Sequence, residues 1–190
     1  MTDRWETVER TIAYGCEGFD IVSEDVRLPG GERAAFDYLS ESESVVVLPF
    51  TDDVEVVVIE EWRHAVKRRN RAIPAGSVEP GEDRDRAARR ELREETGYAA
   101  GTLEHMTTVE PANGFSDAVF HYFVARDCTD TAGQDLDVDE TIEVETATFE
   151  SLLARVRDDD FRDGRTAFAL VYYALFVGPT PDGILPGGEQ

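Results

Sequence analysis

Apolar and polar positions divide the chain into a strand-rich first half, one amphipathic helix near the middle, and a closing stretch of strands followed by helices. Over residues 1–40, Ile12, Tyr14, Phe19, Ile21, Val26 and Leu28 alternate loosely with polar neighbours. Pro29-Gly30-Gly31 interrupts that alternation, and the pattern predicts short antiparallel strands. Two denser runs follow, at residues 44–50 with Val45-Val46-Val47-Leu48 and at residues 54–60 with Val56-Val57-Val58-Ile59. Thr51-Asp52-Asp53 between them has the composition of a hairpin turn. Because the apolar residues are consecutive, both faces of these strands are expected to be covered, as in the centre of a sheet.

A basic stretch at Lys67, Arg68, Arg69 and Arg71 leads through Ile73-Pro74-Ala75-Gly76 and Pro80-Gly81 to a predicted helix over 82–96, closed by Gly97 where a left-handed residue is needed. Further strands are predicted at 103–109, 119–125 and 141–149, then helices at 151–158 and 166–177. The last helix is apolar almost all round and is expected to be buried. Residues 178–190, rich in Pro and Gly, read as an irregular, mobile tail. The pattern predicts a mixed sheet between helices, with no internal repeat and no low-complexity segment.

Charge changes this picture more than size does. Among 190 residues, 41 Asp plus Glu face 19 Lys plus Arg, for a net charge of −22 and a pI near 4.3. Lys67 is the only lysine. A hydrophobic share of 41% is enough for a core, so the acids must coat a folded surface. Such a surface repels phosphate backbones and anionic lipid, which excludes nucleic acid and membrane as general partners. Acid enrichment with almost no lysine fits concentrated salt, where the screening length is roughly 3 Å, and a halophilic source is expected. Cys16 and Cys128 show neither metal-ligand nor disulfide spacing. The N-terminus is charged from Asp3 and lacks the apolar core of an export signal. The longest apolar run, residues 167–177, is too short to span a bilayer, so a cytoplasmic protein is expected.

The chemistry concentrates on the middle helix. Glu91, Glu94 and Glu95 stand at i, i+3 and i+4 and project from one face, while Ala88 and Leu92 occupy another face that can pack on a sheet. Three carboxylates so close repel one another unless a divalent cation relieves them, and hard oxygen ligands suit Mg2+ or Mn2+. A solvated acidic face is the competing reading of the triplet alone. The triplet does not stand alone. Gly76, five residues, Glu82, seven residues, Arg90-Glu91-Leu92, one residue, Glu94-Glu95, one residue, Gly97 and Tyr98 match every position of the Nudix box, G-x5-E-x7-R-E-U-x-E-E-x-G-U with U a bulky apolar residue.

The chain therefore resembles the Nudix hydrolases, and over about residues 8–177 it looks like their ADP-ribose pyrophosphatase branch. The resemblance implies an α/β Nudix fold, a mixed sheet sandwiched between helices. It also implies a β extension at 1–40, at a homodimer interface, a hydrolase domain at 41–178 and a flexible tail at 179–190. It implies Mg2+-dependent cleavage of the diphosphate of ADP-ribose or a related nucleoside diphosphate sugar, giving AMP and a sugar phosphate. Other sugar nucleotides such as GDP-mannose, or a non-catalytic ADP-ribose sensor, are the alternatives; a sensor usually loses box carboxylates, and this box is intact.

By the same resemblance the carbonyl of Ala75 and the carboxylates of Glu91 and Glu95 bind metal, with Glu94 contributing as ligand or catalyst and Glu82 supporting. Glu61-Trp62-Arg63 resembles the branch's Gln-Tyr-Arg stretch, which makes Arg63 a phosphate contact; a surface salt bridge is its other reading. Ala72 stands where the branch has a substrate-contacting glutamate. Asn113-Gly114-Phe115-Ser116-Asp117 resembles a Pro-Gly-Phe-Ser-Asp loop that sets Phe115 near the nucleotide or anchors the loop itself. Glu140-Thr141-Ile142-Glu143-Val144 resembles Glu-Phe-Val-Glu-Val, which makes Glu140 the catalytic base, against a solvated acidic loop. Trp5 either stacks on the partner subunit's nucleotide or belongs to a disordered terminus, and Trp62 is expected to pack on the sheet.

Overall fold

The computed structural model describes residues 4–131, 133–136 and 141–178, arranged as two compact units. The first is discontinuous, formed by Met1–Ser44 and Val109–Phe120. Its strands β1 (Glu6–Gly15), β2 (Asp20–Arg27) and β3 (Arg33–Ser40) form an antiparallel meander in which Val22 pairs with Ile12 on one side and Tyr38 on the other. The sheet is thin. Val22 and Val26 are buried, whereas β1 is exposed along its whole length. The returning stretch at 109–120 closes against the end of β3: Leu39 N–H donates to the Phe115 carbonyl at 2.9 Å and Asp117 N–H to the Leu39 carbonyl at 3.1 Å. The Asp117 carboxylate then accepts from Ser40 Oγ at 2.7 Å and Glu41 N–H at 3.1 Å.

The second unit, Val45–Thr108 and His121–Gln190, carries most of an eight-stranded mixed sheet. Its path is β11 (Ile142–Thr148), β5 (Glu55–Arg63), β4 (Ser44–Thr51), β10 (Phe120–Asp130) and β8 (Tyr98–Ala99). Beside it, β6 (Arg68–Ala72) pairs with β5, β7 (Ala75–Ser77) with β4, and β9 (Thr102–Val109) with β10. The consecutive valines behave as expected, since side chains alternate across the pleat and both faces are covered. Val45 and Val47 meet Ala87, Ala88 and Leu92 of α1 (Arg84–Thr96), together with Phe123 and Ala125. Phe50, of the opposite parity, stacks with Phe149 at the start of α2 (Phe149–Arg157) and with Tyr173 in the π-helical turn after α3 (Gly164–Tyr172). That is the expected α/β/α sandwich.

Two expectations need correction. The last helix is not buried all round: Thr166, Ala169, Leu170 and Ala174 face inward, while Phe168, Val171 and Phe176 stay exposed. A helix lying on one side of a sheet covers one stripe only, whatever the polarity of its other face. Trp62 does not pack into the core either; it is 45% exposed, with its indole N–H directed at His64. Val56 and Val58 share its face of β5 and are buried, but Trp62 stands near the end of the strand, opposite exposed Arg69 of β6. The tail at 179–190 lies outside the described residues. Among those described, no helix is long and apolar enough to cross a membrane.

Candidate active site

The box residues converge because two turns and a helix are locally well specified. Asp83 caps α1 by accepting from Asp85 N–H at 3.0 Å, and Gly97 ends it with φ 76°, its N–H bonded to the Arg93 carbonyl at 2.8 Å. Burial of Ala87, Ala88 and Leu92 against the sheet fixes the helix rotation and turns Glu91, Glu94 and Glu95 toward β7. The three glutamates line one cleft of about 530 Å3 with Ala75, Gly76, Ser77, Glu79, Arg90, Asp135 and Leu136. Their side chains differ in environment: Glu95 is buried, Glu91 nearly so, and Glu94 more open.

Arg90 organises the carboxylates. Its Nε and Nη2 donate to the two oxygens of Glu82 at 3.1 and 2.9 Å, a bidentate fork, and Nη2 also reaches the Ser77 carbonyl at 2.9 Å. Its Nη1 donates to Glu91 Oε1 at 2.8 Å and Glu94 Oε2 at 3.0 Å. The Arg90 hydrogen bond holds the Glu82 carboxyl below its ordinary range, and the bond from Glu82 raises Arg90 in turn, so this cation stays charged at any working pH. Glu95 is oriented differently, accepting from Ala75 N–H at 3.0 Å through Oε2.

A hard divalent cation fits this donor set. Gly76 lies so close to Glu91 that a Cβ there would overlap the Glu91 carboxyl carbon, so the backbone of 75–76 and the carboxylates share one small space. Among the described residues, no three acidic, His or Cys side chains are already gathered as ligands, because Arg90 stands between Glu91 and Glu94 as their counter-charge. The ligands that would hold the ion are the Glu91, Glu94 and Glu95 carboxylates, with the neighbouring Ala75 carbonyl. Cys128 is no alternative ligand: burial pushes its thiol up to about 12.

The remaining expected residues are distributed more widely. Arg63 ends β5 and pairs with Glu61 at 2.9 Å, in the same unit as the box. Phe115 belongs to the first unit, where it is 64% exposed and lines a cleft of about 450 Å3 with Trp5, Phe36, Tyr38 and Asp117. Trp5 is set edge-on to Phe36 with ring centroids 6.1 Å apart, so it is part of this unit's surface. Glu140 lies outside the described residues. Reasoning from sequence missed Gln134, whose Nε2 donates to the Glu95 carbonyl at 2.7 Å and the Ile142 carbonyl at 3.2 Å, tying the end of α1 to β11. Gln134 belongs to no spaced motif that could have signalled it. Asp135, one of the acids that the sequence places in the loop before the last strand, donates its N–H to the Glu94 carbonyl at 2.9 Å.

Comparison with known proteins agrees with this arrangement. A family model described as NUDIX domain matches residues 41–170. The chain is 34% identical over 172 residues to an ADP-ribose pyrophosphatase of Bacillus subtilis (strain 168), covering 88% of this chain and 93% of that one. It is 31% identical over 155 residues to a methanol dehydrogenase activator of Bacillus methanolicus, covering 80% and 83%. The crystal structure of an ADP compounds hydrolase superposes with a TM-score of 0.77 over 89% of this chain and 91% of that one; at 22% identity, the likeness concerns the fold.

Proposed function

The chain belongs to the NUDIX domain family and is a pyrophosphatase of the Nudix type, and from that premise we propose that it hydrolyses the diphosphate bond of ADP-ribose or a related nucleoside diphosphate sugar, yielding AMP and a sugar phosphate in the first case. The observation that carries the reading is the joining of Glu91, Glu94 and Glu95 with the Ala75-Gly76 backbone in one cleft, under the control of Arg90. The similarity to an ADP-ribose pyrophosphatase over most of both chains supports the substrate class.

Mg2+, or Mn2+ in its place, is the proposed cofactor; when bound it would polarise phosphate oxygens and acidify water. The chain's own groups do the rest. Glu91, Glu94 and Glu95 supply anionic oxygens from a rigid helix, and the Ala75 N–H keeps Glu95 pointing into the cleft. Arg90 holds Glu91 and Glu94 in place. Arg63 is the proposed contact for substrate phosphate, exchanging its Glu61 partner for the ligand. Glu140 is the proposed base that takes the proton from the attacking water. Phe115 is the proposed nucleotide contact. The proposal extends to a salt-rich cytoplasm and to a homodimer built through the N-terminal strands, which the full exposure of β1 supports.

The test is a screen of ADP-ribose, other sugar nucleotides and dinucleotides in KCl with Mg2+, following phosphate released by a coupled phosphatase. Turnover of ADP-ribose, reduced at least 100-fold by Glu95→Gln without loss of the folded state, is the expected result. Absence of turnover with any diphosphate, or a fully active Glu95→Gln variant, would overturn the reading.

A further inference from the structure

The hairpin of β5 and β6 sorts its arginines between the two faces of the sheet. Side chains alternate along a strand and cross-strand partners share a face, so the register divides the hairpin into two sets. Glu60 aligns with Arg71, and Trp62 with Arg69, on one face. Ile59 aligns with Ala72, Glu61 with Asn70, and Arg63 with Arg68, on the other. Ile59 and Ala72 cluster with Leu136, and Leu136 lines the glutamate cleft. The second set therefore shares the face of the box carboxylates.

The two sets differ in charge balance. On the far face Arg69 pairs with Glu60 at 3.0 Å and with Glu143 of β11 at 2.7 Å, and Arg71 pairs with Glu145. Glu143 and Glu145 stand on that face because β11 alternates too, aligning them with Glu60 and Val58. Ile142 and Val144 align instead with Glu61 and Ile59, so on the near face β11 contributes no acid among the described residues. The near set of Arg63, Arg68, Glu61 and Asn70 combines two guanidinium groups with one carboxylate and one neutral amide.

Hydrogen bonds aim both near arginines the same way. Arg63 Nη2 pairs with Glu61 at 2.9 Å, two positions back along β5, and Arg68 Nε donates to Asn70 Oδ1 at 3.0 Å, two positions on along β6. Glu61 and Asn70 are partners in register, so both guanidinium groups lean from the turn end of the hairpin toward one row. That row lies about 7 Å along the strands from Ile59 and Ala72, which border the glutamate cleft through Leu136. Asn70 sets the direction of Arg68 without cancelling its charge, and Arg68 is exposed to a ligand. A diphosphate is the anion that such a surplus of forked donors fits. Resting on the hydrolysis proposed above, we propose that Arg68 is a further substrate-binding residue, closing with Arg63 on the diphosphate as a two-stranded arginine clamp.

Steady-state kinetics with ADP-ribose, and calorimetric titration of ADP-ribose with Ca2+ in place of Mg2+, test the clamp separately from the chemistry. Arg68→Gln should raise KM and Kd roughly tenfold or more and leave kcat within about twofold, the pattern of lost substrate binding. Arg68→Lys, which keeps the charge but not the fork, should recover only part of the loss. Asn70→Asp, which adds a carboxylate beside Arg68, should weaken binding in the same direction. Arg69→Gln removes the same charge from the far face and should leave KM and Kd as in the wild type. Wild-type turnover with an unchanged Arg68→Gln variant would overturn the clamp and leave the proposed hydrolysis standing. Binding weakened by Arg68→Gln in a protein that cleaves nothing would do the reverse. An Arg69→Gln effect equal to that of Arg68→Gln would reduce the clamp to general charge and overturn it. A wild type that neither binds nor cleaves ADP-ribose would overturn both.

Discussion

Arg90 is the residue on which most of the site's charge balance rests. It serves three carboxylates and one carbonyl with a single guanidinium, and Glu82, whose side chain is only 5% exposed, depends on it most. Because the Glu82 carboxyl is held below its ordinary 4.5, the folded state binds that proton less readily than the unfolded chain does. The contribution is therefore complete above pH 4.5 and lost as pH falls through the lower folded value. Arg90→Gln should cost about 2–3 kcal/mol at neutral pH, with the gap from wild type narrowing below pH 4.5. Denaturant midpoints between pH 7 and pH 3 would show this, and a gap that stayed constant would mean that Glu82 is not the coupled group. Much of this residue-scale picture was legible beforehand, because Glu82, Arg90, Glu91, Glu94 and Glu95 form a spaced pattern on a helix whose geometry dictates who faces whom. The Arg90 contact to the Ser77 carbonyl was not, since a backbone acceptor leaves no mark in the sequence.

Elements are tied together by few but buried polar contacts. Thr166, fully buried near the start of α3, accepts from Ile73 N–H at 3.0 Å and donates to Asp163 at 2.7 Å, linking the segment before Ala75 to a helix on the far side of the sheet. Thr166→Val keeps the shape but leaves the Ile73 N–H without its acceptor, at about 2–3 kcal/mol, and roughly 5–10 °C in thermal midpoint for a chain of this size. Thr166→Ser should recover most of the loss; a valine variant as stable as wild type would show that the bond contributes nothing. The elements that could be read from sequence were those whose local signal and tertiary role agree. The valine runs became β4 and β5, and Asp83 and Gly97 bracket α1 as capping chemistry requires. Strands β6 and β7 were hidden, because Arg68-Arg69-Asn70-Arg71 has neither β-branched residues nor alternation and is held extended by pairing with β5. The exposed side of the last helix was hidden for the converse reason, that apolar composition does not say which face has something to cover it.

At the scale of the molecule, the −22 charge sets the conditions under which the fold persists. In dilute buffer the surface acids repel one another, and at molar KCl the screening length of roughly 3 Å removes most of that repulsion. The thermal midpoint should therefore rise by on the order of 10 °C or more from low salt to molar KCl; a flat series would refute the salt-adapted reading. The discontinuous first unit was invisible in the pattern, since nothing local announces that 109–120 returns to the end of β3. That return matters during synthesis. Ser40 and its hydrogen-bond partner Asp117 are 77 positions apart, so at about 5–20 residues per second Leu39, Ser40 and Glu41 leave the ribosome several seconds before the groups that will bond them exist. For that interval the exposed meander is a nascent sheet with an unfinished seam. Its safety from neighbouring nascent chains then depends on acids at that edge, Asp37 of β3 and Glu41 just after it, repelling any strand that tries to take Asp117's place.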